Sequence, residues 1–233
     1  MTSPGRIVVA GGTGALGGAL VELLVSEGAR VAVPYRSTGG FDRLRARVST
    51  PEALWGAPAD SANLSGARQF IDAAAHAMGG ITGVAIVAGS YAGSGLLAET
   101  PEGEWRAMMD SNLETAHAVV RAAIPRMTGE GGSVVMVASR VIESGGAGAA
   151  AYTVSKAAVA ALSRVLALEY GPRGIRFNCI APGTIDTPDN RKAMPDAVRD
   201  TWTSPEAIAR VIAFLLSSGS APLSGAYLPV DGR

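Results

Sequence analysis

An α/β fold, with a doubly wound and mainly parallel sheet of seven strands and helices on both faces, is the architecture this sequence predicts. Three observations point there. Short β-rich apolar runs alternate with stretches of helical apolar period along the 233 residues, the pattern of a parallel sheet covered on both sides. A Gly-rich turn, Gly11-Gly-Thr-Gly14-Ala-Leu-Gly17, lies between the first strand-like run and the first helix-like stretch. No linker, repeat or low-complexity segment divides the chain, so a single domain over residues 1–233 is expected.

In order, strands are expected near Arg6 to Ala10, Arg30 to Pro34, Ala53 to Ala57, Gly83 to Ala88, Ser133 to Ala138, Ile175 to Ile180 and Ala226 to Pro229. The stretch Leu16 to Val25 has helical period and follows the Gly-rich turn directly. Thr100-Pro-Glu and Ser204-Pro-Glu each place a capping residue before Pro and an acid in the first turn, so helices should start there. The Gly/Ala-rich run Ser144 to Ala151 reads as a loop feeding the Ala-rich helix that begins around Tyr152.

Composition narrows the partners. Twenty basic and twenty acidic residues cancel, so neither nucleic acid nor another polyanion is indicated. The single Cys179 cannot form an internal disulfide, and the apolar run after Arg6 is too short for a signal-peptide core or a membrane span, so a cytoplasmic setting without membrane attachment is the expectation. His76 and His117 sit at helical positions without metal-ligand spacing, and no metal is expected.

The chemistry concentrates at Tyr152-Thr-Val-Ser-Lys156. Residues four apart share a helix face, and an ammonium beside a phenol favours the phenolate, so Tyr152 is expected to exchange a proton nearer neutrality than an ordinary tyrosine. Ser139 ends the preceding apolar run. Upstream, a strand, a Gly-rich turn and a helix in that order form a phosphate cradle at a helix N-terminus. At the end of the second strand, where an acid would bind the ribose 2′-hydroxyl of NAD, the chain has Tyr35-Arg36-Ser37. A guanidinium there suits a 2′-phosphate, so NADP(H) is the expected cofactor.

These residues resemble the short-chain dehydrogenase/reductase family over essentially the whole chain. The carriers are the Gly-rich turn, Ser139 thirteen positions before Tyr152, the Tyr-x-x-x-Lys pair, Asn112 in Met109-Asp-Ser-Asn112-Leu, and Pro182-Gly183-Thr-Ile-Asp-Thr187. The resemblance implies a Rossmann-type fold and hydride transfer between a nicotinamide and a small-molecule carbonyl or alcohol. In it Tyr152 is proton donor and Ser139 holds the substrate oxygen. Lys156 lowers the tyrosine pKa and grips the nicotinamide ribose, and Asn112 supports a relay water. It implies cofactor contacts from Gly11, Thr13, Gly14, Ala15, Leu16, Gly17, Tyr35, Arg36, Ser37, Asp60, Ser61, Ala88, Gly89, Tyr152, Lys156, Pro182, Gly183, Ile185 and Thr187. It also implies a homo-oligomer, dimer or tetramer, built on the helices of Asn112 and Tyr152, where Ala157, Ala158, Ala160 and Ala161 permit close approach.

The departures are specific. Ala10 and Ala15 replace a Thr and a Gly common at the first turn, and Ile86-Val-Ala-Gly89 stands where many members have Asn-Asn-Ala-Gly; apolar packing is expected to replace the lost amides. Ile185 to Pro195 is similar to a stretch of quinoid dihydropteridine reductases, although Ser139 and Tyr35-Arg36 depart from that branch. For the substrate, Tyr91, Glu143, Met194 and Trp202 are pocket candidates because they follow strand ends; ordinary packing explains them equally well. Reduction of a ketone or 3-oxoacyl compound leads. A pteridine reductase and a non-catalytic dinucleotide sensor are the alternatives.

Overall fold

The computed structural model describes residues 5–127 and 131–232. Seven strands form one sheet in the order β3-β2-β1-β4-β5-β6-β7: β1 Arg6–Ala10, β2 Arg30–Tyr35, β3 Leu54–Pro58, β4 Gly83–Ile86, β5 Gly132–Val137, β6 Ile175–Pro182 and β7 Tyr227–Val230. Every pair is parallel, so "mainly" gives way to a wholly parallel sheet. β1 pairs with both β2 and β4, which makes the gap beyond the carboxyl ends of β1 and β4 the point where the winding reverses and where open α/β sheets take ligands.

The strands are apolar on both faces because both faces are covered. On one side Val8, Val84, Met136 and Phe177 pack with Phe70 and Ile71 of α3 (Leu64–Met78), Val119 and Met127 of α5 (Thr115–Met127), and Val159 and Leu166 of α7 (Ala150–Tyr170). On the other, Ile7, Val9, Val135 and Ile180 pack with Leu20 and Leu24 of α1 (Ala15–Ser26), Phe41 and Leu44 of α2 (Thr38–Arg45), and Ile208 and Ile212 of α9 (Pro205–Leu216). Alternate residues of one strand thus feed opposite cores.

Local signals set the helix ends. The Asn63 side chain accepts from Ser65 N and Gly66 N to open α3, and Ser204 accepts from Ala207 N at 3.2 Å to open α9. Thr100 does not cap. The helix α4 (Glu102–Met108) has Pro101 at its N-cap, and the Thr100 hydroxyl donates back to Leu96 O. The third strand starts one residue later than expected, because Pro51–Ala53 closes a 3-10 turn that takes up Ala53. The Arg176 guanidinium donates to Leu215 O, Ser217 O, Ser220 O and Leu223 O, tying the end of α9 to β6.

Two shorter helices, α6 (Val141–Ser144) and α8 (Pro188–Ala193), lie in the segments after β5 and β6. By length and composition α7 passes for a membrane span. It also carries the buried Lys156 and sets Val159 and Leu166 in the core beside Phe177 of β6.

Candidate active site

The crevice begins with the Gly-rich turn. Gly11 has φ +90°, and a Cβ there would lie 2.6 Å from Ala88 N; a Cβ on Gly17 would overlap the Gly11 carbonyl, with the Gly11 C atom 2.7 Å away. Only glycine allows the turn, the end of β4 and the first turn of α1 to nest this closely. That first turn carries no acidic residue to repel an anion. Beyond it lies a cleft of about 460 Å³, lined by Gly11, Thr13, Tyr35, Arg36, Ser37, Asp60, Ser61, Ala88 and Gly89, nine of the expected cofactor residues. Ser90, from the segment after β4, and Ala107, Asp110, Ser111 and Thr115, from the helix crossing the crevice, line it as well and were not foreseen; the sequence of that helix gives no hint that it faces a ligand.

Arg36 is exposed on this cleft and makes no ion pair among the described residues. Tyr35 is held by stacking on Phe41 at 4.8 Å. Asp60 lines the cleft and also accepts from Ala62 N at 3.1 Å, so turn formation and ligand contact coexist in one carboxylate. Ile86 is buried in the core, while the N–H groups of Val87 and Ala88 both donate to Ala10 O at 3.0 Å. Apolar packing and backbone bonds replace the missing amides, as expected.

The residues expected to handle the proton gather at the carboxyl end of β5. The β5–β6 ladder continues past Val137, with Ala138 N donating to Ile180 O and Arg140 N to Pro182 O, so Ser139 is fixed between two rungs. The Ser139 side chain lies beside the Tyr152 hydroxyl, close enough to lower its pKa, and accepts from Val141 N at 3.3 Å. Lys156 is 6% exposed, and its Nζ donates to Val137 O at 3.0 Å. A Cβ on Gly89 would lie 3.0 Å from Lys156 Nζ and would overlap Asn112 Oδ1, which places the end of β4 against both residues.

Asn112 occupies a π-helical segment, Met109–Glu114, between α4 and α5. The wider turn carries a buried amide that an α-helical residue would have to bond elsewhere. Its Oδ1 accepts from Ser90 N at 3.0 Å, and its Nδ2 donates to Ser90 O at 3.1 Å and to Ser155 Oγ at 2.9 Å. Ser155 Oγ in turn donates to Tyr152 O at 2.7 Å. Ser155 was not foreseen, although its place beside Lys156 could have drawn attention to it.

Electrostatics differ from the expectation in one respect. Burial, followed by the nearby Tyr91, holds the Tyr152 pKa above its ordinary value, and the Ser139 side chain offsets this only in part. Lys156 is not among the groups that shift it. Its own pKa is pushed down to about 8, chiefly by burial. Desolvation thus sets the direction for the phenol and favours the proton-bearing form of Tyr152. Cys179 is buried with its pKa pushed up to about 12 by desolvation, as befits a core thiol.

The remaining candidates scatter around this centre. The Tyr91 ring meets Tyr152 edge-on, with centroids 4.9 Å apart at 74°. Glu143, in α6, pairs with Arg140 at 2.7 Å, and Arg140 reaches Asp231 at 3.5 Å. Pro182 ends β6. Gly183 follows it and donates to Val230 O. Thr187 caps α8 by accepting from Asn190 N at 3.2 Å, which leaves its hydroxyl proton free to donate. Ile185 forms a parallel bridge with Thr203 that closes the base of the segment between them. Within that segment Met194 ends α8 half-exposed, and Trp202 lies under Arg199 at 5.7 Å. His117 pairs with Glu114 on the surface, and His76 lies in the last turn of α3; no group of three or more metal-ligating side chains occurs among the described residues.

Residues 11–232 match the family model described as Enoyl-(Acyl carrier protein) reductase, and 31% identity over 97% of the chain links it to a short-chain dehydrogenase. The chain belongs to the short-chain dehydrogenase/reductase family. The relative just cited is 2,5-dichloro-2,5-cyclohexadiene-1,4-diol dehydrogenase LinX of Sphingobium indicum, 94% of which is covered. The 3-oxoacyl-[acyl-carrier-protein] reductase FabG of Chlamydia trachomatis is 35% identical, over 59% of this chain and only 59% of the relative's length. Among solved structures, levodione reductase superposes with a TM-score of 0.90 at 27% identity, covering 97% of this chain and 95% of that one. The short-chain dehydrogenase/reductase fold expected from the motifs is therefore the fold found, and the chain is an oxidoreductase of this family.

Proposed function

We propose that this short-chain dehydrogenase/reductase reduces a small-molecule ketone with NADPH. The observation that carries the proposal is the convergence of Ser139, Tyr152 and Lys156 beside Gly89 at one end of the dinucleotide crevice, with the Ser139 side chain close enough to the Tyr152 hydroxyl to lower its pKa. The crevice residues fit a dinucleotide: a side chain on Gly11 or Gly17 would collide with the backbone of Ala88 or Gly11 and spread the tight turn, and a Cβ on Gly14 would meet only the Gly11 carbonyl, at 3.4 Å. When bound, the nicotinamide supplies the hydride. Arg36, exposed and without a carboxylate partner among the described residues, would pair with a 2′-phosphate, and Asp60 and Ser61 would face the adenosine end. Pro182, Gly183, Ile185 and Thr187 would bracket the nicotinamide end.

In reduction the substrate oxygen accepts hydrogen bonds from Ser139 and Tyr152, and Tyr152 gives up its proton as negative charge develops on that oxygen. A raised phenol pKa keeps this proton in place until then. Lys156 would hold the ribose and stabilise the tyrosinate left behind. Ser139, placed beside Tyr152, favours this chemistry over the pteridine branch, which the resemblance marks by lack of the serine. Relatives named for a cyclic diol and for a 3-oxoacyl thioester support a secondary alcohol or ketone as substrate. Tyr152→Phe should lower turnover about 100- to 10,000-fold while leaving NADPH binding within about twofold. Undiminished NADPH oxidation in Tyr152→Phe would remove the assignment, whereas NADPH binding with no oxidation of it across a ketone panel, unaltered by Tyr152→Phe, would favour a dinucleotide sensor.

The family resemblance also supports a homo-oligomer. Val154, Val165 and Leu168 are exposed on α7 alongside Ala161, a face that a second copy would cover. Light scattering should give a mass at least twice the 23.6 kDa of one chain. A monomer at micromolar concentration would defeat this.

A further inference from the structure

Tyr91 lies beside the proposed proton donor without being needed for proton transfer. Its ring touches that of Tyr152 edge-on at 4.9 Å, yet the residue is 67% exposed, so an aromatic surface faces outward directly beside the reacting hydroxyl. Two of the chain's five tyrosines meet here.

The ring is also held in place. The preceding residue, Ser90, is gripped through both its N–H and its carbonyl by the buried Asn112 side chain, and Ser90 Oγ lies 2.7 Å from Ser111 Oγ. Downstream, Gly95 N donates to Gly148 O, and a Cβ on Gly93 would sit 2.6 Å from the Tyr91 hydroxyl and 2.9 Å from the Ala149 Cβ. The segment is thus pinned on one side to the π-helical turn and on the other to the loop that feeds α7. An aromatic side chain with few rotatable bonds, fixed at both flanks, gives up little entropy on binding a ligand.

We infer that Tyr91 is a specificity-determining shelf that selects six-membered ring ketones and alcohols over open-chain ones by packing against the substrate ring while Tyr152 reaches its oxygen. The inference rests on the assignment of Tyr152 as proton donor. A flat or puckered ring can lie against an aromatic surface through most of one side. A flexible chain presents less area to the same surface and must lose rotamer freedom to do so.

The test compares wild type, Tyr91→Ala and Tyr91→Phe with NADPH, using 4-methylcyclohexanone and 2-octanone as ring and open-chain probes. Tyr91→Ala should lower kcat/KM for the ring ketone about tenfold, mainly through KM. Its loss on the open-chain ketone should be at least about threefold smaller. Tyr91→Phe, which restores the ring without the hydroxyl, should recover most of the lost ring-ketone activity. Equal losses on both ketones, no loss in Tyr91→Ala, or a Tyr91→Phe defect as deep as that of Tyr91→Ala would each overturn the shelf while leaving Tyr152 in its role. A wild-type protein that binds NADPH but reduces neither probe, nor any other ketone, would remove the donor assignment and the shelf with it.

Discussion

Replacing Lys156 with methionine should stabilise the protein while abolishing its activity. Lys156 is almost wholly buried, and its Nζ donates to Val137 O at 3.0 Å. Its pKa falls from 10.5 to about 8. At about 1.4 kcal/mol for each tenfold change in proton affinity, keeping this amine charged at pH 7 costs roughly 3 kcal/mol. Methionine has a similar length and no charge; it forfeits the bond to Val137 O, at a cost of about 1 kcal/mol. A net gain of about 2 kcal/mol remains, and at roughly 2–4 °C per kcal/mol for a chain of this size the melting temperature should rise by about 4–8 °C at pH 7. The gain depends on pH in a defined direction. The folded chain binds this proton less tightly than the unfolded chain, so the penalty is full below pH 8 and fades as pH climbs from 8 towards 10.5. The advantage of Lys156→Met over wild type should therefore shrink between pH 7 and pH 9.5, read by thermal unfolding of both proteins in matched buffers without cofactor. A variant that melts below wild type at pH 7, or a difference that stays flat across that interval, would refute the reasoning. NADPH oxidation should be lost at every pH, since the group that costs stability is the one proposed to serve the reaction.

Two further outcomes are expected. Arg36→Ala should weaken NADPH binding about 10- to 100-fold, the worth of one or two charge-assisted hydrogen bonds, while leaving NADH binding unchanged; fluorescence titration with both nucleotides checks it, and equal weakening of the two would refute a 2′-phosphate contact. Gly17→Ala forces a methyl into the Gly11 carbonyl, so it should cost about 1–3 kcal/mol of stability and impair dinucleotide binding, whereas Gly28→Ala, with open space around its Cβ but a φ of +85°, should show only the stability loss in parallel melting and titration experiments.

The strands were legible because each is a run of apolar residues bounded by Gly, Pro or charge, and a parallel sheet covered on both faces needs such runs. Boundaries were less so. Ala53 continues an apolar run, but Pro51 two residues earlier starts a 3-10 turn whose end absorbs it. Thr100 has the residue type of a cap, yet its hydroxyl donates to Leu96 O four residues back and Pro101 takes the N-cap position, a local choice that residue type alone does not reveal. At the site, Ser139, Tyr152 and Lys156 announce themselves by spacing. The wide turn around Asn112 does not, because nothing in Met-Asp-Ser-Asn-Leu-Glu distinguishes a π-helical segment from an ordinary helix. Spacing also misjudged the phenol: it places Lys156 on the same helix face as Tyr152 but cannot tell how much water has been stripped from either, and desolvation decides the direction.

The bridge between Ile185 and Thr203 bears on how this protein could change its diet. Main-chain bonds between Asp186 and Thr203, and between Thr203 and Thr184, cinch the two ends of the excursion together, so whatever happens between them is insulated from the sheet below. Doubling the length of such a closed loop costs only about 0.6 kcal/mol in closure entropy. Insertions here could remodel the surroundings of Met194 and Trp202 generation after generation, while the residues proposed to carry the proton and hold the phosphates stay as they are.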